Sequence, residues 1–212
     1  MVHIAALAEI ASNESGPMAI DFMIMPISRY IAGDFVTPIM RFCWEQGTPY
    51  FVIGPDGKRE VPPNVPYGGE LARQNRLQFV AMVLEDLRAL PIKDATSIWD
   101  EHSEVEPRFH RVDPESYTAL CRQPKPSTFR RILSLGKIGG APHCASSLFL
   151  PFAFSSPFPI MEPLERTCGS TPEALKELAS AAFMPAAANA AATLREALQD
   201  SMTLQMPMIV DW

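Results

Sequence analysis

The hydrophobic residues of this chain fall into two patterns, short continuous apolar runs and longer runs with helical spacing. Apolar runs bounded by turn residues lie at residues 18–27, 48–61 and 204–211, which predicts strands at these positions. The second run contains a GPDG turn and therefore predicts a hairpin. The apolar stretch SSLFLPFAF at 146–154 predicts a further strand, because compact domains rarely leave a long segment without regular structure.

Two longer stretches carry apolar residues at helical spacing. Leucine and valine recur at three- and four-residue steps over about 69–90. Charged residues occupy the other face and Pro91 follows, so the stretch predicts an amphipathic helix. An alanine-rich stretch predicts a C-terminal helical pair over about 171–201. Thr171 is its expected N-cap, and Pro185 breaks or restarts the helix.

Capping residues predict two further, shorter helices. Thr37 followed by Pro38 is typical of a helix start, and Gly47 suits the position just past the end of that helix. Asp113 followed by Pro114 predicts a second short helix in the same way.

Together these elements predict one α+β domain over residues 1–212. We expect a small mixed β-sheet built from the runs at 18–27, 48–61 and 204–211. The amphipathic helix and the C-terminal helical pair would cover this sheet, because each has an apolar face to bury.

Composition and charge argue against a nucleic-acid-binding or membrane protein. The 212 residues carry a net charge of −6, which gives the chain no general attraction for nucleic acid or for a membrane of anionic lipid. The four cysteines are widely spaced, a pattern typical of reduced thiols in a cytoplasmic protein. Prolines interrupt the uncharged segments 138–161 and 178–194, so neither predicts a membrane-spanning helix.

Basic side chains are concentrated in one segment. Residues 116–161 contain five basic side chains and no acidic one, whereas the segments on either side are acidic. One interpretation is that the segment packs across acidic parts of the same chain. The other is that it binds an anion or a partner protein. The five residues are Arg122, Lys125, Arg130, Arg131 and Lys137.

The polar stretch WDEHSEVEPRFH at 99–110 contains carboxylates and imidazoles, which are the ligand types of zinc and manganese. No pair of them has a spacing such as HExxH, so we predict no metal site. We interpret the stretch as a solvated acidic loop. The alternative is that the loop is a docking surface for a basic protein, because complementary charge favours encounter. The candidate partner-binding residues are Trp99, Asp100, Glu101, Glu104 and Glu106.

The stretch PHCASS at 142–147 places Cys144 beside a histidine in a segment without acidic residues. Positive surroundings lower the pKa of a thiol, and the thiolate is the competent nucleophile. A catalytic cysteine also needs a correctly placed base, which a distant histidine would have to supply. The alternative is a buried structural cysteine. No nucleotide-binding, serine-hydrolase or kinase motif is present, so we expect no cofactor.

The stretch SRYIAGDF at 28–35 joins the first predicted strand to the helix that Thr37 caps. We interpret it as a structural turn. Its position at the end of a strand is also one where ligands bind in open sheets, and arginine and tyrosine are favoured at protein interfaces. Arg29, Tyr30 and Asp34 are therefore further candidates for contact with a partner.

The function expected from these features is that of a non-catalytic, cytoplasmic binding protein. Its acidity, its aromatic residues and its lack of catalytic motifs have the general character of a bacterial immunity or antitoxin protein, which binds and neutralises a cognate toxin. The alternative is a small hydrolase or transferase that uses Cys144 with a distant histidine. A third is a self-assembling component that buries methionine- and phenylalanine-rich segments between copies.

Overall fold

A computed structural model of the chain describes residues 5–7, 19–48, 51–53, 59–60, 102–122, 142–160 and 166–211. These residues form an α+β fold, as the sequence predicts. The described strands are β1 Ala5–Leu7, β2 Ile20–Ile24, β3 Phe51–Ile53, β4 Arg59–Glu60, β5 Arg108–Val112, β6 Leu148–Leu150, β7 Phe158–Ile160, β8 Arg166–Ser170 and β9 Met208–Asp211.

The described helices pack beside these strands. They are α1 Ile27–Ala32, α2 Pro38–Glu45, α3 Pro114–Cys121, α4 Thr171–Ser180 and α5 Pro185–Leu204, with a short 3₁₀ turn at His143–Ala145. The last two confirm the predicted C-terminal helical pair. The amphipathic helix predicted over 69–90 lies outside the described residues. No helix in the described parts of the chain is both long enough and apolar enough to cross a membrane.

Six strands form a mixed sheet in the order β5-β2-β9-β6-β8-β7. The pair β6 and β8 is parallel, and the other neighbouring pairs are antiparallel. This arrangement confirms the predicted strands near 18–27, 146–154 and 204–211. The charged sequence of β5, Arg-Phe-His-Arg-Val, shows no apolar run, so the hydrophobic pattern does not predict this strand.

The hairpin at 48–61 belongs to a different sheet from the one predicted. β3 and β4 pair antiparallel, which confirms the hairpin, but their other neighbour is β1. These three strands form a separate sheet in the order β1-β3-β4. The expectation that 48–61 joins the main sheet is wrong, because the pairing of distant strands is not encoded in the local apolar pattern.

The main sheet separates two hydrophobic cores, because successive side chains of a strand point to opposite faces. On β2, Phe22 and Ile24 belong to the core that contains the helices α4 and α5. Met23 lies in the other core, with Ile27 of α1 and Phe35. Burial on both faces explains why β2 reads as a continuous apolar run.

The alanines of α5 allow this helix to lie close to its neighbours. Ala187, Ala190, Ala191, Leu194 and Ala197 are buried at helical spacing, and α5 contacts α3, α4, β2 and β5. Asp200, near the C-terminus of α5, contacts Arg108 and His110, so this part of the helix lies at the sheet edge formed by β5.

The helix caps follow the sequence closely. The Thr37 hydroxyl accepts a hydrogen bond from the Met40 N–H at 3.3 Å, and Asp113 accepts one from the Ser116 N–H at 2.7 Å, so both predicted caps are confirmed. The prediction that Thr171 caps α4 is wrong by one residue. Ser170 is the N-cap, and its hydroxyl accepts from the Glu173 N–H at 3.3 Å.

Candidate functional site

The stretch SRYIAGDF forms a short helix rather than a loop. Six residues from Ile27 to Ala32 are helical, and Gly33 ends the helix with a φ of 67°. A residue with positive φ is a common helix end, and glycine adopts it without steric cost. The Asp34 N–H then donates to the Arg29 carbonyl at 2.9 Å. The prediction of a turn is wrong for residues 28–32, which are helical, although the stretch does connect β2 to α2.

Arg29 and Asp34 hold this helix against the loop that precedes β5. Arg29 Nε donates to the Asp34 carbonyl oxygen at 3.0 Å and lies 3.8 Å from the Asp34 carboxylate. Arg29 Nη1 donates to the Val105 carbonyl at 2.9 Å. Only 11% of the Arg29 side chain and 9% of the Asp34 side chain are exposed. Both side chains therefore make their contacts within the fold, and their contact with a partner stays a prediction.

Tyr30 links α1 to two strands of the main sheet. Its hydroxyl donates to Asp211 Oδ1 at 2.9 Å and accepts from Arg166 Nη2 at 3.2 Å. The ring stacks on Phe35, with 6.2 Å between centroids and 5° between planes. Burial, together with the Asp211 carboxylate, raises the pKa of Tyr30 well above its ordinary value. Tyr30 is thus a partly buried residue that holds α1 against the sheet.

The candidate residues of the acidic loop fall into two groups. Trp99, Asp100 and Glu101 lie outside the described residues. Glu104 and Glu106 are exposed, and Glu106 forms a 2.9 Å ion pair with Arg41 of α2. In the described parts of the chain, histidine, cysteine and carboxylate side chains form no group of three that could hold a metal ion.

The environment of Cys144 opposes its use as a nucleophile. Burial and the nearby Glu177 carboxylate raise the pKa of this thiol to about 12. The Glu177 carboxylate accepts hydrogen bonds from the backbone N–H groups of His143 at 3.0 Å and Cys144 at 2.8 Å. His143 Nδ1 accepts from the Ser170 N–H at 2.9 Å. The PHCASS stretch therefore forms a hydrogen-bonded structural turn, in which the thiol stays protonated at neutral pH.

The interpretation of the basic segment 116–161 depends mostly on residues that the structure does not describe. Arg122 is exposed at the end of α3. Lys125, Arg130, Arg131 and Lys137 lie outside the described residues. Both interpretations of this segment stay predictions.

A surface groove with a volume of about 400 Å³ lies beside the acidic loop. One wall is α2, with Pro38, Arg41, Phe42 and Glu45. The opposite wall is the chain at 106–110, and Asp200 of α5 completes it. Phe42 is 47% exposed, as is Val105 in the adjoining loop. We call this feature the β5 groove, because the first half of β5 runs along it.

Charged groups at the floor of the β5 groove form a compact network. The Asp200 carboxylate accepts a hydrogen bond from Arg108 and lies 2.9 Å from His110 Nε2. A carboxylate on an imidazole can orient a general base. However, no serine, threonine or cysteine lines the described walls of the groove. The geometry therefore supports binding at this site better than covalent catalysis.

Of the predicted partner-binding residues, Glu106 alone is among those that line this groove. The other contributions come from α2, from β5 and from Asp200, which is about 90 residues from β5 along the chain. The sequence signal for this surface is Phe42, a large apolar residue on the exposed side of α2. Large exposed apolar side chains mark binding sites when polar residues surround them.

No protein-family model matches the chain, and no similar protein was found among curated proteins or among solved structures.

Proposed function

We propose that this chain is a non-catalytic, cytoplasmic protein-binding domain whose contact surface is the β5 groove and the adjoining acidic loop. The observation that carries the proposal is the exposure of Phe42 beside an open groove of about 400 Å³. An aromatic side chain that loses its water on docking is a typical energetic centre of a protein interface. Charged side chains surround it, as in the polar rim of such interfaces.

Charge favours a basic partner. Two arginines and three carboxylates line the groove, and Arg41 and Arg108 are each already paired with one of these carboxylates. Glu45 and the acidic loop add negative charge at the rim, and the whole chain carries −6. Electrostatic complementarity would therefore increase the association rate of a protein with a basic contact surface.

Within this class, we propose an immunity or antitoxin role, in which the bound partner is a toxin. Support comes from the same features, namely the acidic surface, the exposed aromatic side chain and the absence of a nucleophile among the groove-lining residues described. A neutralising protein needs tight binding and no chemistry of its own.

Site-specific photo-crosslinking tests the binding surface. A benzophenone amino acid replaces Phe42 in one variant and Ala188 in the control variant, both expressed in the cells that contain the gene. Ala188 is exposed on α5, roughly 18 Å along the helix axis from Asp200. We expect one discrete protein adduct from position 42 and none from position 188.

The cross-linked protein is then purified and its affinity is measured. Phe42→Ala should weaken binding at least tenfold, because truncation of an interface centre costs about 2 kcal/mol. Met184→Ala removes an apolar side chain with the same exposure of 47% and should leave the affinity unchanged. Equal affinities for the two variants would overturn the proposed surface.

The antitoxin role has a separate readout. The identified partner should arrest growth when it is expressed alone, and co-expression of the wild-type chain should restore growth. Phe42→Ala should restore it poorly. A partner that binds but is harmless on its own would contradict the antitoxin role and leave the binding function intact.

A further inference from the structure

The strand β5 lies at the edge of the main sheet, with β2 as its neighbour on one side. An edge strand presents backbone N–H and C=O groups that have no strand to pair with, and such groups can accept an added strand. The hydrogen bonds elsewhere in the sheet determine which groups these are.

The pairing of β2 with β9 fixes the direction of the β2 backbone groups. The Met25 N–H donates to the Pro207 carbonyl at 3.1 Å, one step beyond the paired residues Ile24 and Met208. In an antiparallel pair, hydrogen-bonded and non-hydrogen-bonded positions alternate. The odd-numbered residues of β2 therefore bond to β9, and its even-numbered residues bond to β5.

The register between β2 and β5 then assigns the groups of β5. The even-numbered residues of β2 lie opposite Arg108, His110 and Val112, so these three direct their backbone groups toward β2. The backbone N–H and C=O groups of Phe109 and Arg111 point outward from the edge. Among the described residues, they make no backbone hydrogen bond outside the sheet.

The β5 groove lies along the first three residues of this edge strand, Arg108 to His110, and Arg111 follows directly after them. Its lining includes Asp200, which contacts the side chains of Arg108 and His110 on one face of the sheet. It also includes Phe42 of α2, and Phe109, which lies on the other face of the sheet against the second core. A groove that reaches both faces at an edge strand leaves space for an extended chain beside β5.

The lining of the groove indicates the chemistry of an added strand. The apolar side chains of such a strand would contact Phe42 and Phe109, and its basic side chains would meet the carboxylates at the rim, among them Glu45. Arg108 and Arg111 are already paired with Asp200 and Asp21, so their charges are compensated within the fold.

We propose that the partner binds by strand addition, in which an extended segment that alternates apolar and basic residues pairs with β5. The inference rests on the proposed function, because it uses the same groove. The segment would exchange backbone hydrogen bonds with Phe109 and Arg111, and its apolar residues would fill the groove. Backbone pairing supplies affinity in this binding mode, and the groove supplies specificity.

A proline at position 111 tests the backbone contact. Arg111→Pro removes an outward N–H and keeps the bonds to β2, a position where edge strands tolerate proline. Arg111 also forms a bidentate ion pair with Asp21, with both distances 2.7 Å. Arg111→Ala loses the same ion pair but keeps the N–H, so it is the matched control.

The probe is a phage-displayed library of random 12-residue linear peptides, selected on the full-length chain. We expect selected peptides to alternate apolar residues with lysine or arginine. They should bind Arg111→Pro about tenfold more weakly than Arg111→Ala, the effect of losing one or two hydrogen bonds. Peptide binding should also slow hydrogen exchange at the Phe109 and Arg111 amides, measured by NMR.

The outcomes separate this inference from the proposed function. Peptides that lose affinity for Phe42→Ala but bind Arg111→Pro and Arg111→Ala equally would overturn strand addition while supporting the groove. Failure to select any peptide would overturn strand addition. The photo-crosslink from position 42 would still test whether the groove is the binding surface. A dimer seen by light scattering and dissociated by Arg111→Pro would show that a second copy occupies the edge.

Discussion

At the scale of single residues, Gly169 shows how packing can require a residue that the local sequence does not explain. A Cβ at this position of β8 would lie 2.5 Å from Ser146 Oγ and 2.8 Å from the His143 carbonyl oxygen. Atoms that close cannot coexist, and both neighbours belong to the hydrogen-bonded turn around His143. Gly169 therefore allows this turn to lie directly on the sheet.

Replacing Gly169 with alanine should destabilise the protein by about 1–3 kcal/mol, the usual cost of overpacking a core. Urea unfolding would measure the change in the free energy of unfolding. The double variant Gly169→Ala with Ser146→Gly removes the Oγ and Cβ of Ser146 and should recover part of the loss. A single variant as stable as the wild type would contradict the tight contact.

Residues that act locally could be predicted from the sequence, and residues that act across the fold could not. Thr37 and Asp113 each cap a helix within three residues, so their role is visible in a short window. Tyr30 joins Asp211 at a separation of 181 residues, and no pattern in SRYIAGDF indicates it. The role of Asp200 is equally hidden in the sequence, because the packing of α5 brings it to the groove from about 90 residues away along the chain.

At the scale of elements, helix α4 holds the 3₁₀ turn at His143–Ala145 through one side chain. The Glu177 carboxylate accepts two backbone hydrogen bonds from that turn, and the Ser170 N–H at the start of α4 donates to His143. The helix, the turn and β8 thus form one connected unit, which explains why the thiol of Cys144 lies beside a carboxylate.

Glu177→Ala should lower the free energy of unfolding by about 1–3 kcal/mol, because it leaves two backbone N–H groups without their acceptor. Lys176→Ala on the same helix is the control. Lys176 is 71% exposed, and its ion pair in the described part of the chain is with Glu173 of the same helix, so its loss should cost less than about 0.5 kcal/mol. Urea unfolding of both variants checks the difference. Equal losses would show that the turn does not depend on Glu177.

Elements with a strong apolar pattern were predictable, and elements stabilised by ion pairs were not. β2 and β9 are buried on both faces and are visible as apolar runs. β5 holds its place through the pairs of Arg108 with Asp200 and Arg111 with Asp21. Its partners come from distant parts of the chain, so its charged sequence resembles a solvated loop until the sheet is formed.

At the scale of the whole molecule, burial affects the ionisation of several groups in the same direction. Burial raises the pKa of the thiols of Cys43, Cys144 and Cys168 above their ordinary value of 9.0. Burial also raises the pKa of the hydroxyls of Tyr30 and Tyr117. The folded protein therefore holds protons that the unfolded chain releases in alkaline solution.

This difference predicts a loss of stability at high pH. The pKa of Cys168 is higher in the folded state than the unfolded value of 9.0, so its contribution is fully present below pH 9. As the pH rises above 9, ionisation of this thiol stabilises the unfolded chain, whereas the buried thiol of the folded protein stays protonated. The free energy of unfolding should fall by up to about 1.4 kcal/mol per pH unit for this group.

Urea unfolding at pH 8 and pH 10, with a reductant present, measures this slope. Cys168 is completely buried in the second core, so Cys168→Ala should lower stability at both pH values through the cavity that it leaves. The variant should nevertheless lose about 1.4 kcal/mol less than the wild type between the two pH values. Because the cavity cost is the same at both pH values, only the ionisation of Cys168 can change the slope. Parallel pH profiles for the two proteins would contradict the buried, protonated thiol.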